Sequence, residues 1–389
     1  MTVLVAAGRR GVAGAMTYVD GVGSLRAIEL LRIAAGPLVI AHLWPFLTDA
    51  RNGIVYSDRF FQPYAAWYPE VPRSGYLVLL WVAVGAALAL SLGIATRYAS
   101  VYTAGFVAYN LFLSRTYFWH NRAFLLVMLV GLAVLPVGRA WSIDAAIRTR
   151  RGLARPATTG PLWPLMLMRF EVVAAFLGSG VSKLIDPDWW GGTVTQLRVV
   201  QWRDVAASRG VPDGILDMVA TEGFHVWFAK LAVLTELAIG VGLLYRRSRL
   251  GAIWVAVLFH VSIELVASVQ VFSYVALAAL VIWVTPSAGD RTVIVRGGSR
   301  SARLIAFSVG RLDWTHRFRL RREDLPGPVV TLIDRDGRSS HGGAALRVML
   351  SRLPPTFMLV APFNLAGLRT LWDRALPDRR HPVRRSAGP

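Results

Sequence analysis

Phe176-Leu-Gly-Ser-Gly-Val-Ser-Lys183-Leu-Ile-Asp-Pro-Asp-Trp-Trp-Gly-Gly192 closes an apolar run that begins near residue 162. The run 162–183 is long enough to cross a bilayer as a helix, because about 20 apolar residues span the hydrocarbon core. It ends on Lys183; of the 43 Lys and Arg residues only Lys183 and Lys230 are lysine. Arginine stays charged at any accessible pH, whereas a desolvated lysine can lose its proton and act as a base. A lysine at a helix end can equally be an anchor, with its stem in the apolar layer and its ammonium in water.

Working outward, the same apolar character recurs along the chain. A mean hydropathy of +0.47, with 54% hydrophobic and 17% charged residues over 389 positions, is too apolar for a soluble domain. The candidate spans are 25–47, 76–95, 99–117, 122–138, 162–183, 225–245, 250–267 and 269–286. They predict an all-α polytopic membrane bundle of about eight transmembrane helices, with seven as the chief rival, followed by a small α/β C-terminal domain. No cleavable signal peptide is expected, because Arg9 and Arg10 precede a Gly-rich, weakly apolar run.

The net charge of +20 is unevenly placed. Connection 139–161 carries Arg139, Arg148, Arg150, Arg151 and Arg155, and 246–249 reads Arg-Arg-Ser-Arg. Beyond residue 287 there are 19 arginines against 8 acidic residues. The positive-inside rule puts all three in the cytoplasm, and eight spans satisfy it with both termini cytoplasmic. Nothing in the basic tail has the aromatic-and-basic layout of a nucleic-acid module, so the expected partner is the lipid bilayer with its anionic head groups. The absence of cysteine excludes disulfides, thiol catalysis, iron–sulfur ligation and cysteine-bound zinc.

The domain reading is a poorly ordered or interfacial lead over 1–24, a membrane domain over 25–286, an α/β domain over 291–376 and a disordered basic tail over 377–389. Loop 48–75, with Phe60, Phe61, Tyr64, Trp67 and Tyr68, belongs at the outer interface. Loop 184–223 places Trp189, Trp190 and Trp202 beside Arg198, Arg203 and Arg209, which suits a half-buried helix on that side. In the C-terminal domain, strands are expected at 292–296, 316–320 and 329–334, and helices at 299–313 and about 342–352. Asp336-Gly337 signals a turn. The turn after its first strand would suit a redox dithiol but carries Ser299 and Ala302, so the domain reads as non-catalytic.

His42, His120, His225 and His260 fall in or near spans, where an ionisable side chain is a functional hypothesis by default. By the expected topology His120, Lys183 and His260 all reach the outer leaflet. Glu264 shares a helical face with His260, four residues away. The alternative for each histidine is an interhelical hydrogen-bond partner. No ligand spacing supports a metal, and none is expected. Arg169, fourteen residues before Lys183, faces roughly the same side near the cytoplasmic end and reads as structural. Gly178 and Gly180 suit close approach of another helix or a flat ligand. A desolvated Lys183 could abstract a proton, a histidine could donate to a developing oxyanion, and a membrane cavity would exclude water. The lipid-soluble ligand suited to that depth is a quinone.

These motifs, taken together, resemble the vitamin K-dependent gamma-carboxylases and their bacterial relatives, the horizontally transferred transmembrane (HTTM) proteins. The resemblance rests on His120-Asn-Arg-Ala-Phe-Leu-Leu, Trp141-Ser-Ile-Asp144, Gly180-Val-Ser-Lys183-Leu-Ile-Asp-Pro-Asp188-Trp-Trp-Gly-Gly192, Phe259-His260 and Val271-Phe-Ser-Tyr274, over roughly residues 24–286. It implies that Lys183, His260 and His120 are catalytic, with Lys183 as the base that deprotonates a hydroquinone. It also implies that Trp119, Asn121, Gly180, Glu264 and Tyr274 line the site of a menaquinone or vitamin K-like hydroquinone. Trp119 stands where the carboxylase has Asn. The region from 291 resembles a thioredoxin-like DCC domain without its cysteines, Arg296-Gly-Gly-Ser-Arg-Ser-Ala302 replacing the redox motif.

The resulting expectation is a membrane enzyme of the bacterial cell membrane, a quinone-dependent lyase of the carboxylase/epoxidase type, acting on an exported peptide or lipid. The alternative is a non-enzymatic membrane factor for maturation or export of a secreted peptide. A transporter ranks third, since no internal repeat or pair of broken helices supports it.

Overall fold

The computed structural model describes residues 21–55, 61–245, 248–266, 271–283, 291–313, 317–353, 355–376 and 380–381. Of these described residues, 68% are helical. Backbone contacts divide it into two compact units, one built from Ile28–Thr158 and Trp163–Ile282, the other from the described residues before Ile28, Thr159–Leu162 and the chain from Trp283.

The larger unit is a helical bundle. Its elements are α1 (Arg26–Arg51), α2 (Arg73–Leu92), α3 (Thr96–Leu113), α4 (His120–Val134), α5 (Ile143–Arg150), α6 (Trp163–Ile185), α7 (Pro187–Trp190), α8 (Thr193–Ser208), α9 (Asp213–Val219), α10 (Glu222–Leu244), α11 (Arg249–Val266) and α12 (Phe272–Ala279), the last extended by a 3-10 turn, Leu280–Trp283. A helix therefore occupies each of the eight apolar runs. Four of them, α1, α2, α6 and α10, are long and apolar enough to cross a membrane. Helix α4 and the segment Phe272–Trp283 are apolar but shorter.

Lipid-facing character is visible on α2. Tyr76, Leu80, Ala83, Ala87 and Leu90 are buried in the bundle, while Val78, Trp81 and Leu88 are at least half exposed. A helix apolar on its outer face as well as its inner one is suited to hydrocarbon surroundings. Helix α10 packs along α6 and α11, and α3 along α2 and α4.

A buried ionic knot fixes the start of the bundle. Arg32 is fully buried. Its Nε donates to Glu29 Oε2 at 2.8 Å, and its terminal nitrogens donate to the carbonyls of Leu90, Ser91, Ala140 and Trp141. Glu29 in turn accepts from the backbone N–H groups of Gly138 and Arg139 at 3.1 and 2.8 Å. One guanidinium thus joins α1, the end of α2 and the segment before α5. The Trp141-Ser-Ile-Asp144 motif acts nearby. Ser142 caps α5 by accepting from Ala145 N–H, and Asp144 accepts from the N–H groups of Ala95 and Thr96 at the start of α3. These residues are structural.

Connections expected to be loops carry more structure. Loop 139–161 contains α5 and strand β2 (Thr159–Pro161), and 184–223, expected to hold one half-buried helix, contains three, α7 to α9. Helix α1 runs on to Arg51, so the aromatic loop starts later than residue 48. The expected 1–24 lead lies outside the described residues up to 20. Its end is a strand, β1 (Val22–Ser24), paired antiparallel with β2.

The smaller unit contains β3 (Arg291–Arg296), α13 (Arg300–Leu312), β4 (Phe318–Glu323), β5 (Gly327–Pro328), β6 (Val330–Ile333), β7 (Ser339–His341), α14 (Gly342–Leu350), α15 (Phe357–Val360), a 3-10 turn (Ala361–Asn364), α16 (Ala366–Ala375) and β8 (Arg380–His381). The four-stranded sheet has order β4-β3-β6-β7, with β3 parallel to β4 and the other pairs antiparallel. Its core joins Val293, Val295 and Leu332 to Ile305 and Val309 of α13 and to Ala345 and Met349 of α14. Ser299, in the turn after β3, caps α13 by accepting from Ala302 N–H. The expected disordered tail lies outside the described residues except for β8, which pairs with β5.

Asp334 ties this sheet to its flank. Burial pushes its carboxyl up, but the Arg335 N–H and the guanidiniums of Arg352 and Arg291 outweigh that and hold it below the ordinary value. A depressed folded-state value contributes stability that is complete above the unfolded-state value and lost as pH falls through the folded one. Asp334→Asn is therefore expected to speed amide exchange in β3 and β6 at neutral pH. The difference from wild type closes in acid, below the ordinary carboxylate range; a difference independent of pH would contradict this.

Candidate functional site

Lys183 sits in the last turn of α6. One turn earlier, Ser179 Oγ accepts from its Nζ at 2.8 Å, as i,i+4 spacing allows. The ammonium lies 4.8 Å from the centre of the Trp189 ring. Its charged partner is Glu236 of α10, with Nζ to Oε1 at 2.5 Å. The lysine side chain is 18% exposed and the glutamate 3%. The second oxygen of Glu236 is buried without a hydrogen bond among the described residues.

Small residues bring the two helices close enough for this pair. A Cβ on Gly180 would lie 2.8 Å from Leu237 Cδ2 and 3.3 Å from its backbone N. Reciprocally, a Cβ on Gly240 would lie 2.6 Å from Leu177 Cδ2. Each glycine is a notch for the leucine of the other helix. Of the two expectations for Gly180, another helix or a flat ligand, the close approach is made by Leu237 of α10, whereas Gly178 has open space. The following Trp-Trp-Gly-Gly turn is seated by Gly192. Its φ of +85° is left-handed, and a Cβ there would meet the backbone of His225 and Val226 at 2.7 Å.

His260 of α11 is fully buried. Phe176 of α6, Phe259 and Phe272 surround it, with ring centres at 5.7, 5.5 and 5.3 Å. Neither ring nitrogen has a hydrogen bond among the described residues, and the Lys183 charge is within electrostatic range. Beside it opens a cleft of about 270 Å³ lined by Arg209, His260, Val261, Glu264, Leu265, Ser273, Tyr274 and Leu277. The Ser273 hydroxyl, 1% exposed as a residue, is also unsatisfied. Buried polar atoms are normally bonded to protein or ordered water, so two such groups beside one cleft mark a place for a polar guest. At its mouth Glu264 accepts from the Tyr274 hydroxyl at 3.2 Å and pairs with Arg209 at 3.8 Å.

The structure therefore brings together Lys183, Gly180 and His260, and puts His260, Glu264 and Tyr274 on one cleft. His120, Trp119 and Asn121 lie elsewhere, at the start of α4. His120 is exposed with its ring against Phe118, and Trp119 lies under the guanidiniums of Arg122 and Arg198. Arg169 donates to the Ile282 carbonyl. Sequence reasoning passed over Glu236, although an acid in the middle of the apolar run 225–245 was a signal of the same kind as Lys183. It also passed over Ser273, whose role is visible only from burial. No group of three or more His, Asp or Glu side chains among the described residues is arranged to hold a metal ion.

Chemically, the Lys183–Glu236 pair sets an amine and a carboxylate at hydrogen-bond distance. His260 offers a ring nitrogen as donor or acceptor according to its tautomer. Glu236 and His260 are almost fully buried, while Lys183 keeps partial exposure. A family model described as HTTM domain matches residues 24–287. No solved structure matches the chain.

Proposed function

The chain belongs to the HTTM family, multi-pass membrane proteins related to gamma-carboxylase, and from that premise we propose an integral membrane enzyme that binds a quinone-like lipid and uses Lys183 as base to modify an exported peptide or lipid. The observation that carries this reading is the paired, nearly dry Lys183–Glu236 couple beside an unsatisfied His260. In low dielectric a separated ammonium and carboxylate are costly, and transfer of the proton to Glu236 leaves a free amine. Glu236 is then the proton store and Lys183 the group that takes a proton at Nζ.

The cleft residues fit a quinone-type head group. His260 and Ser273 supply unsatisfied donors and acceptors, and Val261, Leu265 and Leu277 supply apolar walls. Such a lipid, when bound, supplies reducing equivalents and an acidic hydroxyl. His260 and Ser273 would hold its oxygens, with Glu264 and Tyr274 at the mouth. His120, Trp119 and Asn121 would act from the start of α4.

The same reading takes all eight apolar helices as membrane spans in a bacterial cell membrane, with both termini cytoplasmic. The order β4-β3-β6-β7, with a crossover helix between the parallel strands, supports a thioredoxin-like C-terminal domain without redox cysteines. The domain limits follow: a lead over 1–24, a membrane domain over 25–286, this domain over 291–376 and a basic tail over 377–389.

Lipid extraction and mass spectrometry of purified protein test the proposal. Wild type is expected to carry a stoichiometric menaquinone-type lipid, and His260→Ala to lose it without losing its fold. No quinone in either would transfer the assignment to the second reading, a non-enzymatic factor for maturation or export of a secreted peptide. One observation favours that reading: Lys183 is already neutralised by Glu236, as a helix-packing pair would be.

A further inference from the structure

Helix α13 of the smaller unit has two apolar faces, and only one is used by the fold. Ala302, Ile305, Ala306 and Val309 are buried against the sheet. On the opposite side Leu304 is 64% exposed and Phe307 60% exposed. At 3.6 residues per turn, Arg300, Arg303, Leu304, Phe307 and Arg311 fall within an arc of about 100°. All three arginines are exposed, and α13 contains no acidic residue. The fold needs none of these five side chains for its core.

We infer that this face of α13 docks on an anionic lipid surface, with Leu304 and Phe307 entering the head-group layer and Arg300, Arg303 and Arg311 meeting lipid phosphates. Three observations select lipid as the occupant. The pattern, large apolar residues flanked by arginine on one narrow face, is that of an interfacial helix. Its charge complements an anionic leaflet and is reinforced by the excess of 19 arginines over 8 acidic residues beyond position 287. The four-stranded sheet begins at Arg291, eight residues after Trp283 ends an apolar helical segment of a chain that carries membrane-length helices. A protein partner would present its own acids to the same face, and is distinguished below.

The chain has no cysteine, so single cysteines report cleanly. Full-length Phe307→Cys and, separately, Leu304→Cys would carry a polarity-sensitive fluorophore in nanodiscs of phosphatidylcholine with or without phosphatidylglycerol. Arg338→Cys, at a side chain that is 88% exposed, serves as the control site. With phosphatidylglycerol, the probes at 304 and 307 are expected to shift to the blue and be quenched by head-group spin-labelled lipid, while the control is not. At roughly fivefold per surface arginine, R300Q/R303Q/R311Q is expected to shift the docked-to-free ratio by about 100-fold. Probes that stay open to aqueous iodide overturn the proposal. Shielding without lipid quenching also overturns it, because a second protein copy then covers the face. Equal quenching with and without phosphatidylglycerol overturns the anionic recognition.

Discussion

Lys183→Met, with Glu236 left in place, is expected to destabilise the bundle by about 3–5 kcal/mol, because it strands a carboxylate that is almost fully buried. Glu236→Leu alone should cost less than this, since Lys183 retains Ser179 Oγ, the Trp189 ring and partial access to solvent. The double variant Lys183→Met/Glu236→Leu should recover most of the loss, because apolar residues of similar volume replace both charges. Thermal unfolding of the four proteins in nanodiscs measures this cycle. A double variant that is stable but has lost its activity would assign the pair to chemistry. One that is stable and works normally would assign it to packing and sink the lysine-base reading. If Lys183→Met melts like wild type, the pair seen here is not formed in the membrane.

A larger effect is expected at Arg32. Arg32→Met removes the partner of Glu29 and leaves the carbonyls of Leu90, Ser91, Ala140 and Trp141 without their donor. A stranded buried charge costs about 3–5 kcal/mol, and each buried unsatisfied carbonyl about 1–3 kcal/mol more. The total is comparable with the whole stability of an ordinary domain, about 5–15 kcal/mol. The yield of monodisperse protein is expected to collapse. Arg32→Lys should rescue little, because one ammonium cannot fork between two separate segments. Arg97→Met, at an exposed position, should leave the yield unchanged. Normal yield of Arg32→Met would show that the knot is dispensable.

The helical half of the fold was legible because burial in lipid or bundle demands long apolar runs, and each run became a helix. Segment ends were less legible. They depend on caps and tertiary partners, such as the Asp144 carboxylate that receives the start of α3. Strand β1 was hidden because its pairing with β2 joins residues more than a hundred positions apart. At the site, Lys183 stood out as a rare residue type, and His260 with Glu264 followed from helical spacing. His120 was grouped with them by depth and by the family resemblance, and depth does not fix position around a bundle. Glu236 went unread because one of 23 acidic residues stands out less than one of two lysines, so only its apolar surroundings marked it. Arg32 and Glu29 sat close to a predicted span boundary and looked like ordinary flanking charges.

The interlocked notches between α6 and α10 also fix what this part of the bundle can do in time. Sliding α10 by one turn would set Glu236 or Leu244 against Leu177 in place of Gly240 and carry Glu236 away from Lys183, leaving Ala232 or Gly240 opposite the ammonium. Intermediate positions clash twice over, so the two helices behave as a keyed joint with a single setting. Any breathing that admits a guest to the cleft must therefore come from the elements that line it, the Arg209 turn, α11 and α12.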